Sequence, residues 1–199
     1  MFAENKPISR RALLSGAAAI ALASRSARAL PRLQVGGKVA LRLPWSLAAI
    51  DPHRIDDAAA GIFSSALFDS LYALNAAGDP VPALAESLPE SDGAGGLRIK
   101  MREGLLTAHG SVIDARDAVL ALARARSHGA AGWLAALPIP KREGDRSFTF
   151  ATEDPQALAR TLSSPLTAIV PLAFDPTKPD GTGPFRADRK ESTLMLTRN

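Results

Sequence analysis

Three side chains close together in the sequence have the types from which hydrolytic sites are built: His109, Ser111 and Asp114. A nucleophile triad requires a base oriented by a carboxylate and an oxyanion hole, and spacing along the chain supplies none of that geometry. The G-x-S-x-G elbow that would expose a serine on a strained turn is absent. Asp114 and Asp117 instead have the placement of helix-starting carboxylates, whose oxygens accept the free backbone N–H groups of a first turn. A secreted hydrolase centred on Ser111 is therefore a minor function class. The histidines, His53, His109 and His128, have no i, i+4 or short-loop spacing suited to zinc, and each reads as a surface or loop residue. With no cysteine in the chain, thiolate metal sites, disulfides and cysteine nucleophiles are excluded. No cofactor is expected.

The elements that must carry these residues begin after an export address. Arg10 and Arg11 precede an apolar run from Ala12 to Ala23, and Ala27-Arg28-Ala29 has the small-x-small pattern of a cleavage site. Residues 1–29 are thus expected to be a cleaved twin-arginine signal, with 30–199 as the folded part. The leader holds five of the 24 basic side chains and one of the 20 acidic ones, which leaves 19 of each sign in residues 30–199. The basic character belongs to the leader, and the usual inference from a basic chain to a nucleic-acid partner fails. A hydrophobic content of 46% over this length supports one domain with a real core.

Within it, Lys38 to Leu43 alternates like a half-buried strand and ends at Pro44. Asp56 or Asp57 caps a helix in which Ile62, Phe63, Ala66 and Leu67 are expected to face the sheet. Leu97, Ile99 and Met101 alternate with Arg98, Lys100 and Arg102 in the clearest strand pattern of the chain. Asp114 opens a helix from Ala115 to about Arg126, with Ala118, Val119 and Leu122 inward. Ser147 to Ala151 reads as a strand, Asp154-Pro155 starts a helix over 156–162, and a last strand is expected around 192–197. The run from Leu166 to Val170 is expected to be buried, and Trp133 sits in an alanine-rich stretch closed by Pro138 and Pro140.

The ordered succession FDSLY, a turn with Asn75 and Gly78, VPALAESLPE, LRIKMREGL, HGSVIDARDAVLALARA and finally GTGPF resembles the N-terminal lobe of solute-binding proteins of ABC importers, of the peptide, nickel and oligosaccharide type known as solute-binding family 5. The resemblance implies a mixed α/β fold: a mixed-sheet lobe of the type II periplasmic-binding-protein kind, without the second lobe. It implies a noncatalytic binding component that takes a peptide-like or other small solute outside the cytoplasm and works with permease subunits in the inner membrane. It also brings the loop after the first strand to the ligand cleft, so Trp45, Ser46 and Asp51, with Gly181, Thr182 and Gly183 of the GTGPF turn, are the expected ligand contacts; for Trp45, plugging the core is an equal alternative. A lobe alone offers half the contacts and no hinge closure, so weak solute binding, or none, is expected. An exported interaction protein that uses the uncovered face of the lobe is the alternative.

Overall fold

The computed structural model describes residues 37–44, 47–54, 58–191 and 193–199. The chain divides into two compact units, Met1–Pro44 and Trp45–Asn199. The signal residues Arg10, Arg11, Ala27 and Ala29, the contact candidates Trp45 and Ser46, and the capping candidates Asp56 and Asp57 lie outside the described residues. No helix among the described residues is long and apolar enough to cross a membrane.

In the first unit the expected strand over 38–43 does not form, and Val39 and Leu41 are exposed. Alternation supplies a face but not a neighbour. A strand exists only where another backbone accepts its ladder of hydrogen bonds.

The second unit begins its regular structure with α1 (Ala58–Leu67), which buries Ala59, Ala60, Ser64 and Leu67. The inward face overlaps the expected one: Leu67 is buried and Phe63 packs, partly buried, against the core, but Ile62 is exposed. Packing adds the small residues Ala59, Ala60 and Ser64 to that face. A short antiparallel pair follows, β1 (Tyr72–Leu74) with β2 (Pro80–Pro82). Asn75 closes their turn, its Oδ1 accepting the N–H groups of Ala77 and Asp79 at 2.9 Å each.

The central sheet is built from β3 (Glu90–Ser91), β4 (Leu97–Lys100), β5 (Lys141–Arg142) and β6 (Ser147–Phe150), in the order β3-β4-β6-β5 with every neighbour antiparallel. Alternation decides which face of β4 is wet. Leu97 and Ile99 go inside, while Arg98 and Lys100 reach Glu143 and Glu86 on the outer face. Phe148 and Phe150 of β6 bury edge to face, and each such side chain contributes roughly 1.5–3 kcal/mol by leaving water.

Against β5 and β6 lies α2 (Ala115–Ser127). Its inner face is Ala115, Ala118, Ala121, Leu122 and Ala125, four alanines that let helix and sheet approach closely and one leucine that fills the core. The start is a full capping box: the Asp114 carboxylate accepts from Arg116 N and Asp117 N, and Asp117 accepts from Asp114 N. The helix α3 (Pro155–Thr161) starts as its sequence requires, with Asp154 as cap and proline in the first turn, and packs on β1 and β2. Thr161 receives the indole N–H of Trp133 at 2.8 Å. A 3-10 turn (Pro165–Thr167) leads into buried Ala168, Ile169 and Val170. The described chain closes with a hairpin of β7 (Phe185–Lys190) and β8 (Thr193–Arg198), paired along six residues each.

Candidate functional site

A groove of about 930 Å³, within the range of small-solute sites, opens among the described residues. Three segments wall it: the corner bearing His109 and Ser111, the irregular stretch from Pro171 to Asp180, and the β7–β8 hairpin with Asp188 and Arg189. Phe174 supplies the aromatic surface, and Lys178, Asp180 and Asp188 supply charge.

Each wall is positioned by identifiable bonds. The corner folds on itself, Ser111 N donating to Thr107 Oγ1 at 2.9 Å and Thr107 N to Ser111 O at 2.8 Å. Asp180 then ties it down, accepting from the Thr107 hydroxyl at 2.7 Å and from the His109 backbone at 3.1 Å. The His109 ring lies between two carboxylates, with Nδ1 2.9 Å from Asp180 and Nε2 3.6 Å from Asp188. The partner of His109 is therefore not Asp114, whose carboxylate is committed to the start of α2. Asp117 also holds the groove wall, because its Oδ1 accepts from Leu172 N at 2.9 Å and fixes the beginning of the 171–180 stretch to the helix. On the opposite lip, Arg189 donates to the carbonyls of Leu47 and Ala48.

Behind the groove is a buried polar cluster. Asp51 and His53 are almost without exposure. The Arg124 guanidinium, from α2, meets both Asp51 oxygens, with Nη1 to Oδ1 at 2.8 Å, and also faces His53 Nδ1 at 2.7 Å. Arginine can only donate, so Nδ1 is the acceptor and the proton sits on Nε2, which donates to Ala168 O at 2.8 Å. His53 is thus neutral. Burial holds its pKa down to about 4, with the nearby Arg124 charge adding to the effect against the carbonyl of Ala168. Burial alone would raise the Asp51 carboxyl, but the Arg124 hydrogen bonds and charge and the His53 N–H outweigh it and leave the pKa below the usual value.

The GTGPF turn belongs to the same backing layer. A Cβ on Gly183 would lie 2.5 Å from the Leu67 carbonyl carbon and 2.7 Å from Phe68 N, closer than atoms approach. The glycine lets the turn lie directly on the end of α1, where Gly183 N donates to Leu67 O at 3.0 Å and satisfies a carbonyl that the helix leaves open. Gly181 is similarly close-packed against Leu67 and Phe68. Its carbonyl accepts from Ala108 N at 2.8 Å, so the turn also places the His109 corner. Thr182 Oγ1 accepts from Asp69 N at 3.3 Å, and burial pushes the Asp69 carboxyl above its ordinary pKa against the Thr182 hydrogen bond.

Of the expected ligand contacts that are described, Asp51 faces Arg124, the two glycines face α1 and Thr182 faces Asp69. None of them lines the groove; they support it from behind. The histidines divide as well: His109 is partly exposed on the groove, and His53 is in the core, contrary to a surface assignment, because Arg124 and Ala168 satisfy both of its nitrogens. The groove residues Phe174, Lys178, Asp180, Asp188 and Arg189 were not singled out by sequence reasoning. The cluster Asp175-Pro176-Thr177-Lys178-Pro179-Asp180 marks a loop beside a lone aromatic, which is the one available signal. Among the described residues no group of three or more His, Cys, Asp or Glu is placed to hold a metal ion.

No protein-family profile matches the chain, and no curated protein does. Solved structures do match. A nickel ABC transporter protein from Bacillus halodurans aligns at 26% identity and a TM-score of 0.61, over 77% of this chain and 33% of that one. The oligopeptide-binding protein AppA from Bacillus subtilis, in complex with a nonapeptide, aligns at 22% identity and 0.61, over 77% and 34%. NikA from Brucella suis, in complex with Fe(III)-EDTA, aligns at 21% and 0.64, over 78% and 34%. The chain therefore carries the mixed α/β fold of the family 5 solute-binding proteins of ABC importers, the nickel and oligopeptide type, and spans about a third of the length of those it matches.

Proposed function

We propose that this chain is a solute-contacting part of the substrate-binding component of an ABC-type importer, noncatalytic, and that the groove walled by His109, Phe174 and Asp188 receives a peptide-like or other small solute for permease subunits in the inner membrane. The observation that carries the reading is the shared fold with nickel- and oligopeptide-binding proteins. The groove adds a site of suitable size, with an aromatic surface and charges of both signs on its walls. Calorimetric titration with a panel of short oligopeptides and a nickel–histidine complex tests it. Saturable binding, weaker than micromolar, by at least one member is expected. Absence of saturable heat from every member at millimolar concentration removes the reading.

Export belongs to the same proposal. Arg10 and Arg11 would direct the chain outward, with cleavage after Ala29, and the mature protein would work in the periplasm or its equivalent. Sequencing the exported material should give an N-terminus at or near Leu30, and a start elsewhere would refute the cleavage.

A further inference from the structure

We infer that Arg124 is a positioning residue for the groove: from behind, it fixes the orientation in which Phe174 is presented to a solute. The inference deepens the solute-binding reading and rests on it for the identity of what the ring meets. Three observations support it. First, the guanidinium is immobilised by both oxygens of Asp51 and by His53 Nδ1, a fit that uses the planar fork of arginine and that a lysine ammonium cannot reproduce. Second, this fixed cation lies over the Phe174 ring, 5.2 Å from its centroid, a distance at which the charge and the ring attract. Third, Phe174 stands on the irregular stretch between Pro171 and Asp180, where no strand or helix sets its direction. Its ring meets Arg124 on its face and Phe68 edge to face, with ring centroids 5.6 Å apart at 81°. Phe68 is in turn held under Gly181. Arg124 does not line the groove itself, so it acts only through the ring.

The test uses 4-fluorophenylalanine incorporated at the seven phenylalanines and read by fluorine NMR, with the Phe174 signal assigned by its loss in Phe174→Leu. In Arg124→Lys the Phe174 resonance should shift and broaden while those of Phe148 and Phe150 in the sheet keep their positions. A merely structural role for Arg124 would move all three together or none. An unchanged Phe174 signal, or one that moves no more than the sheet signals, overturns the inference. Should Arg124→Lys fail to fold, Asp51→Asn keeps the arginine and loosens its anchor: a smaller shift confined to Phe174 supports the inference, and no shift overturns it. For a peptide of the panel that binds the wild type, Arg124→Lys should weaken binding roughly fivefold. If the wild type binds nothing, the solute reading falls and the fluorine spectrum still decides whether Arg124 sets the ring.

Discussion

The backing layer and the rim of the groove use the same residue types in opposite ways. Behind the groove, a histidine, an aspartate and an arginine are packed so that nearly every polar atom has one partner: Asp51, His53 and Arg124 close on each other and on Ala168. At the rim, His109, Asp180, Asp188 and Lys178 are at least partly open to water, and the His109 ring is 42% exposed. A buried pair loses several kcal/mol when one partner is removed, because the other is left charged and dry, whereas an exposed pair is worth under about 1 kcal/mol. Stability therefore resides in the backing, and on the proposed reading the rim is left for recognition.

Substitutions that break this division should show it most clearly in the backing. Asp51→Ala removes both carboxylate oxygens that Arg124 meets and the acceptor of the His53 backbone N–H, leaving Arg124 only His53 Nδ1, and should lower stability by about 3 kcal/mol, read as a loss of urea midpoint. Gly183→Ala forces a methyl group into the backbone of Leu67 and Phe68 and should cost about 3 kcal/mol, whereas Gly132→Ala, where nothing lies within 4 Å, should change the midpoint hardly at all. Acid should act through His53. Its folded pKa of about 4 is below the free value of 6.5, so the unfolded chain takes up the proton first. Its contribution is complete above pH 6.5 and is lost as pH falls toward 4, about 3 kcal/mol in all. Asp69, raised by burial, opposes part of this slope, so the measurement is the difference between wild type and His53→Gln in urea midpoints across that window. His109→Ala is the smallest effect: a stability change under about 1 kcal/mol, with a weaker solute affinity in the panel titration.

The same division explains what could be read from the sequence. β4 was legible because Leu97 and Ile99 alternate with Arg98 and Lys100, and α2 because Asp114 and Asp117 stand where the first turn needs acceptors. Those signals are local, and so is their physics. The role of His53 was not local: its partner Arg124 lies 71 residues away, and nothing near His53 announces a buried imidazole. The glycines of GTGPF were ambiguous for another reason. A residue without a side chain permits approach by a ligand and by the end of a helix equally, and only the fold shows that Leu67 and Phe68 fill the space. Lys38 to Leu43 has the pattern of a strand, but a pattern cannot supply the neighbour that makes one. Phe174 stood unnoticed in a proline-rich loop because its ring contacts, Arg124 over its face and Phe68 edge to face, come from distant parts of the chain.

The division between rim and backing is tested most directly by a residue-by-residue map of amide chemical-shift changes as the tightest-binding member of the panel is added. Saturable changes are expected at His109, Phe174, Lys178, Asp180 and Arg189, with the amides of Gly132 and of Leu97 to Lys100 unmoved. Changes centred instead on the shallow hollow beside Pro52, Ser64 and Pro165, or around Trp133, would contradict recognition at the rim.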